Sequence, residues 1–118
     1  MLPAGSRLTH RDEFAAVIRR GRRSGRSRLV VHLQRSAGVP TPRAGFVVSK
    51  AVGGSVVRHR VVRRLRHLVA PRLAILPCDA LMVVRALPPA AGSSAAELAD
   101  DLDAGMRGAL RKLYASTS

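Results

Sequence analysis

Residues 45–69 read GFVVSKAVGGSVVRHRVVRRLRHLV, and the reading of this stretch decides the fold. With the two residues before it, RAGFVVS (43–49) predicts a strand. Lys50 and a short AVGG loop follow, and Ser55 is a candidate N-cap. Residues 56–70 have helical periodicity. Val57, Val61, Leu65, Leu68 and Val69 form one apolar stripe, and Arg58, Arg60, Arg63, Arg64, Arg66 and His67 cover the rest. Pro71 and Pro77 bound the exit. Residues 80–86, ALMVVRA, are nearly all apolar and predict a central strand. A strand–helix–strand unit from 43 to 86 invites parallel pairing, and the general rule makes its crossover right-handed.

Outward from this unit, residues 1–7 look like a flexible lead. A helix is expected from Thr9, a capping residue, to Gly21. Asp12 and Glu13 lie in its first turn, and Leu8, Phe14, Val17 and Ile18 form its stripe. Residues 22–28 read as irregular or a short edge strand. Residues 29–34 (LVVHLQ) predict a strand paired with 43–49 in a hairpin across the Gly38, Pro40 and Pro42 loop. After Pro88, Pro89 and Gly92, Ser94 and Glu97 form a capping box. The last helix, to about Tyr114, carries Leu98, Leu102, Met106, Ala109, Leu110 and Leu113 on one face. The order α-β-β-α-β-α predicts a single α+β domain over 1–118, a two-layer sandwich of helices on a small central sheet.

The chain has 118 residues, 21 basic and 7 acidic, with a net charge of +14. Residues 1–72 carry 17 basic and 2 acidic side chains, so one part of the chain meets a polyanion. Apolar residues make up 47%, too many for a disordered basic tail. A membrane surface is a weaker partner, because the chain has no Trp, one Tyr and two Phe. A single cysteine, Cys78, excludes an internal disulfide framework and is expected to be buried. No apolar run approaches the ~20 residues of a membrane span. The opening MLPAGSRLTHRDEF lacks an apolar signal core, so a cytoplasmic protein is expected.

Five arginines lie between Arg58 and Arg66 with no acid among them. Such a ridge is either a solvated helix face or a phosphate-backbone contact, and the single sign favours the second. Lys50, Gly53, Gly54 and Ser55 precede a helix N-terminus, which attracts anions, although the loop lacks the nucleotide P-loop pattern. Phe46, Val48, Lys50 and His32 could form a single-strand platform, or the phenylalanines could be core. Glu97 and Asp101 share a helix face, where dipole stabilisation fits better than metal binding. His59 and His67 suit auxiliary RNA contacts. These residues describe a binder without a protein active site.

The run from Gly45 to Val69 resembles the signature of the bacterial ribonuclease P protein subunit: a strand ending in Ser-Lys, a Gly-containing loop, then an Arg-Asn-Arg helix. The resemblance extends over the LTHRDEF opening, the basic Gly21 region, CDALMVVRA and the closing helix. It implies the ribosomal protein S5 domain 2-like fold with a left-handed βαβ crossover, against the general rule. It also implies a catalytic RNA partner that holds the Mg²⁺ ions and hydrolyses precursor tRNA, releasing the 5′ leader. The protein itself then holds no metal or small-molecule cofactor. The matching catalytic-RNA positions are Ser49, Lys50, Arg58, His59, Arg60, Arg63, Arg64 and Arg66. The matching leader cleft is Phe14, Ile18, His32, Phe46, Val48 and Lys50. His59 replaces the motif's usual Asn, and Val62 stands where a basic residue is common. Two other readings compete: a stand-alone, ribosome-associated RNA- or DNA-binding module, and a self-sufficient nuclease.

Overall fold

The computed structural model describes residues 4–8, 10–38 and 40–115. Helix α1 (Arg11–Arg20) leads into strand β1 (Arg22–Gly25) and strand β2 (Leu29–Arg35). Strand β3 (Arg43–Val47), helix α2 (Ser55–Val69), strand β4 (Ala80–Ala86) and helix α3 (Ala95–Ala115) follow. The four strands form one mixed sheet in the order β1-β2-β4-β3. The parallel partner of β3 is β4, reached through α2, and β4 runs antiparallel to β2.

This order corrects the expected hairpin. Residues 29–34 do not pair with 43–49, because β4 lies between them; the hairpin is β1–β2, with Arg23 opposite His32. A strand of seven residues, six of them apolar, is better buried between two neighbours than on an edge. Residues 22–25 are therefore the edge strand, short and arginine-rich, as edge strands often are.

Side-chain alternation divides the core in two. Leu29, Val31, Leu33, Ala44, Met82 and Val84 pack against Val61, Leu65 and Val69 of α2 and Leu98, Leu102, Met106 and Ala109 of α3. Leu81 and Val83 point to the other face, where Leu8 and Val17 cover them with Phe14 and Ile18. Helices α2 and α3 thus cover one face of the sheet and α1 the other. Two glycines let α1 approach. A side chain at Gly45 would collide with the Phe14 ring, and one at Gly21 would lie 2.8 Å from the Leu33 carbonyl oxygen.

Several local expectations change. Ala4–Ser6 form a 3-10 turn, Arg7 bridges to Ala44, and the Leu8 N–H donates to the Ala44 carbonyl at 3.0 Å. The described part of the expected flexible lead is therefore anchored to β3. Thr9, the expected cap, lies outside the described residues; His10 stands at the α1 N-cap without a side-chain bond. Gly54 rather than Ser55 caps α2, and between Val69 and Leu76 the chain continues as a 3-10 extension over Ala70–Ile75 with Pro71 in its first turn. Cys78 is exposed, not buried. The Ser94–Glu97 capping box forms as expected, with N–H donation in both directions at 2.9 and 3.1 Å.

Candidate RNA interface

The apolar stripe of α2 fixes which of its basic groups face outward. With Val61, Leu65 and Val69 buried, the opposite face presents Val56, His59, Arg60, Arg63 and His67, all exposed. Val56, 79% exposed, has no core role. Arg64 and Arg66 lie half-buried on the two flanks. A shallow groove of about 730 Å³ runs along this face to Ala95 at the start of α3.

Not every arginine of the ridge is free. The Arg58 Nε donates to the Gly53 carbonyl at 3.1 Å and braces the loop before α2. Arg60 donates to the Ala91 carbonyl at 3.2 Å, and Arg64 to that of Ser93 at 3.0 Å. These two tie α2 to the turn before α3. Each still presents a guanidinium, and its other donors fit a phosphate. Ser49 and Lys50 are exposed at the end of β3, and their carbonyls accept from the N–H groups of Val52 and Gly53.

Four of the seven acids, Asp79, Glu97, Asp101 and Asp103, are bound by arginines that do not belong to α2. Arg28 gathers Glu97 at 2.8 Å, Asp101 at 3.6 Å and the Ser93 hydroxyl at 3.0 Å, and its backbone N–H donates to Asp101 at 2.9 Å. Arg72 binds Asp103 at 2.7 Å and Arg35 binds Asp79 at 3.0 Å. The Ser94 N–H and hydroxyl, with Arg28 beside them, hold Glu97 below its ordinary carboxylate pKa. The Arg72 hydrogen bond does the same for Asp103. Glu97 and Asp101 do share a helix face, but a guanidinium occupies it. Among the described residues no group of three His, Cys, Asp or Glu is arranged to hold a metal ion.

The six expected cleft residues do not share one surface. Phe14, Ile18 and His32 lie on the α1 face, whereas Phe46 and Val48 pack toward the α2–α3 core. Strand parity is the reason: Phe46 is in register with Val84, a core residue of that second face. Phe14 and Phe46 meet only around the edge of β3, in a cleft of about 140 Å³ also lined by Arg7, Gly45, Val62 and Arg66. His32 is 1% exposed and sits beneath the surface.

A different strip lies on the α1 face, accessible at Val47, Arg85 and Gly25 and floored by the buried Val30. Val47, Arg85, Val30 and Gly25 are in register across β3, β4, β2 and β1. Val47 and Arg85 are half-exposed beside Ile18 of α1, and Lys50 lies beyond Val47 at the β3 end. The Arg85 Nε lies 3.5 Å from the His32 Nε2. Burial, then Arg85, then Arg23 lower the His32 pKa to about 4, so the ring is neutral at pH 7 and accepts from the guanidinium. Arg85 and Arg23 were not among the expected site residues. The signal for Arg85 was present: a single charge inside an apolar strand must face an opening.

The family model for ribonuclease P matches residues 2–110. The ribonuclease P protein component of Streptomyces avermitilis is 55% identical over 115 residues, covering 91% of this chain and 94% of its own. That of Corynebacterium diphtheriae is 46% identical over 112 residues, covering 90% and 94%. Among solved structures, the Staphylococcus aureus RNase P protein superposes with a TM-score of 0.78 at 20% identity, covering 86% of this chain and 93% of that one. The Thermotoga maritima RNase P protein gives 0.71 at 20% identity, covering 81% and 90%. Both structures share the fold. No helix among the described residues is long and apolar enough to cross a membrane.

Proposed function

This chain belongs to the bacterial ribonuclease P protein family, and from that premise we propose how it divides the work with its RNA. It is a protein subunit of ribonuclease P, serves tRNA processing and has an RNA partner. The stand-alone binding module is accordingly not favoured. In our reading the outer face of α2 grips the catalytic RNA through His59, Arg60 and Arg63, with Arg64, Arg66 and Lys50 at its margins. The observation that carries this is a helix face of one charge sign, while Asp79, Glu97, Asp101 and Asp103 are engaged by arginines outside α2. Backbone contacts of this kind position an RNA without reading its sequence.

We place the chemistry, and the Mg²⁺ ions it uses, on the RNA. The donor set supports this, because Asp79, Glu97, Asp101 and Asp103 are each bound to an arginine. The 5′ leader of precursor tRNA is assigned to the strip beside α1, from Lys50 and Val47 across Arg85 toward β1, with Phe14 and Ile18 as its apolar wall. His32 then acts from below, by orienting Arg85, rather than by touching RNA.

Cleavage of precursor tRNA by the cognate catalytic RNA at low Mg²⁺, with and without this protein, tests the assignment. Cleavage that needs both components supports it. Cleavage by the protein alone, abolished by substituting its acids or histidines, would return the self-sufficient nuclease to first place.

A further inference from the structure

Four arginines stand within five residues at the turn from α1 into β1: Arg19, Arg20, Arg22 and Arg23. All four are exposed, and among the described residues none has an ion pair or a side-chain hydrogen bond. The acids of α1, Asp12 and Glu13, are at its opposite end. Lys112 of α3 reaches the same edge and donates to the Arg23 carbonyl at 2.6 Å, so α3 adds positive charge here too. Arginines at the C-terminus of α1 complement its dipole, and charge on an edge strand discourages strand pairing. Neither purpose calls for four within five residues.

The position of this patch gives it a partner. The sheet order puts β1 and β3 at opposite edges, three strand spacings or roughly 14 Å apart. The α2 ridge and Lys50 flank the β3 edge, and the arginine patch flanks the β1 edge. The strip carrying Arg85 joins them, and Arg23 lies on the same face of the sheet as His32 and Arg85. A single strand that enters beside the catalytic RNA at Lys50 and crosses the strip leaves over β1.

We propose that Arg19, Arg20, Arg22 and Arg23 form a second phosphate-binding surface, which takes the part of the 5′ leader farthest from the cleavage site. The proposal rests on the strip being the path of the leader. The complex therefore holds leader phosphates beyond those over the strip, and affinity rises with leader length until the patch is filled. Contact with a single strand contributes about 0.7 to the salt slope per phosphate neutralised.

The test uses the complex of full chain and catalytic RNA with two precursor tRNAs, one whose leader ends over the strip and one whose leader runs past β1. Affinity for each is measured over a salt series. The wild-type complex should favour the long leader. Replacing all four arginines by Gln should bring the long-to-short ratio near one and remove the extra salt slope, and replacing them by Lys should keep both. A Gln variant that keeps the wild-type ratio overturns the proposal. So does a Gln variant that loses affinity for the catalytic RNA while keeping its preference for the long leader, since the patch then serves that RNA. No length preference in the wild-type complex would instead overturn the leader path itself.

Discussion

The Arg85 Nε and the His32 Nε2 face one another at 3.5 Å across neighbouring strands, and the pairing requires the imidazole to be neutral. His32 has a pKa near 4 in the fold against about 6.5 when unfolded. Its contribution to stability is complete above pH 6.5 and is lost as pH falls toward 4, where the unfolded chain binds the proton and the fold resists it. The loss over that window is about 1–3 kcal/mol. Urea unfolding at pH 7, 5.5 and 4.5 reads it as a difference between wild type and His32→Phe. The variant should be less sensitive to acid, and equal sensitivity of the two proteins would show that His32 is not the group responsible.

Asp101 is only 6% exposed, yet it accepts from the Arg28 backbone N–H at 2.9 Å and lies 3.6 Å from the guanidinium. It joins α3 to the chain just before β2. Asp101→Ala leaves that N–H without its acceptor and should cost about 1–3 kcal/mol. The denaturant midpoint should fall with little change in slope. Binding to the catalytic RNA should be unaffected, because Asp101 is buried and its partner is Arg28 rather than an arginine of the outer α2 face. A loss of RNA affinity without a loss of stability would contradict that separation.

Elements with one decisive pattern were legible in the sequence. The stripe of α2 placed Val61 and Leu65 inside and Arg63 outside, and the Ser94–Glu97 box marked the start of α3. Pairing was harder. The apolar runs of β2 and β4 are buried on both faces, so neither showed an alternation to say which residues share a side. His32 and Phe46 were consequently placed in one cleft, although register sends them to opposite faces. β1 has no apolar residue at all, and its identity rests on hydrogen bonds to β2 that no local pattern announces. Adjacent charges were plain in the sequence, but which acid each arginine holds depends on contacts such as Arg28 with Glu97, made between distant parts of the chain.

Gly45 carries the packing of α1. A side chain there would collide with the Phe14 ring and come within 3.0 Å of the Leu8 Cβ. Gly45→Ala should push Phe14 off the sheet and cost about 1–3 kcal/mol by overpacking. The same shift disturbs the apolar wall of the leader strip. Binding of precursor tRNA should weaken more than binding of mature tRNA, measured with the same complex. An equal effect on both substrates would place Phe14 outside the leader path.

Arg63 separates the two roles that arginines play on α2. It is exposed at the centre of the outward face, whereas Arg64 is half-buried and donates to the Ser93 carbonyl at 3.0 Å. Arg63→Gln should leave the melting temperature unchanged and weaken binding to the catalytic RNA. The slope of log affinity against log salt should fall by about one unit for one lost phosphate contact. Arg64→Gln should lower both stability and affinity, because it also releases the joint between α2 and the turn before α3. The paired measurement is a thermal melt and a salt titration on each variant. An unchanged slope for Arg63→Gln would remove the centre of α2 from the RNA interface, and binding would then have to run through its margins at Arg66 and Lys50.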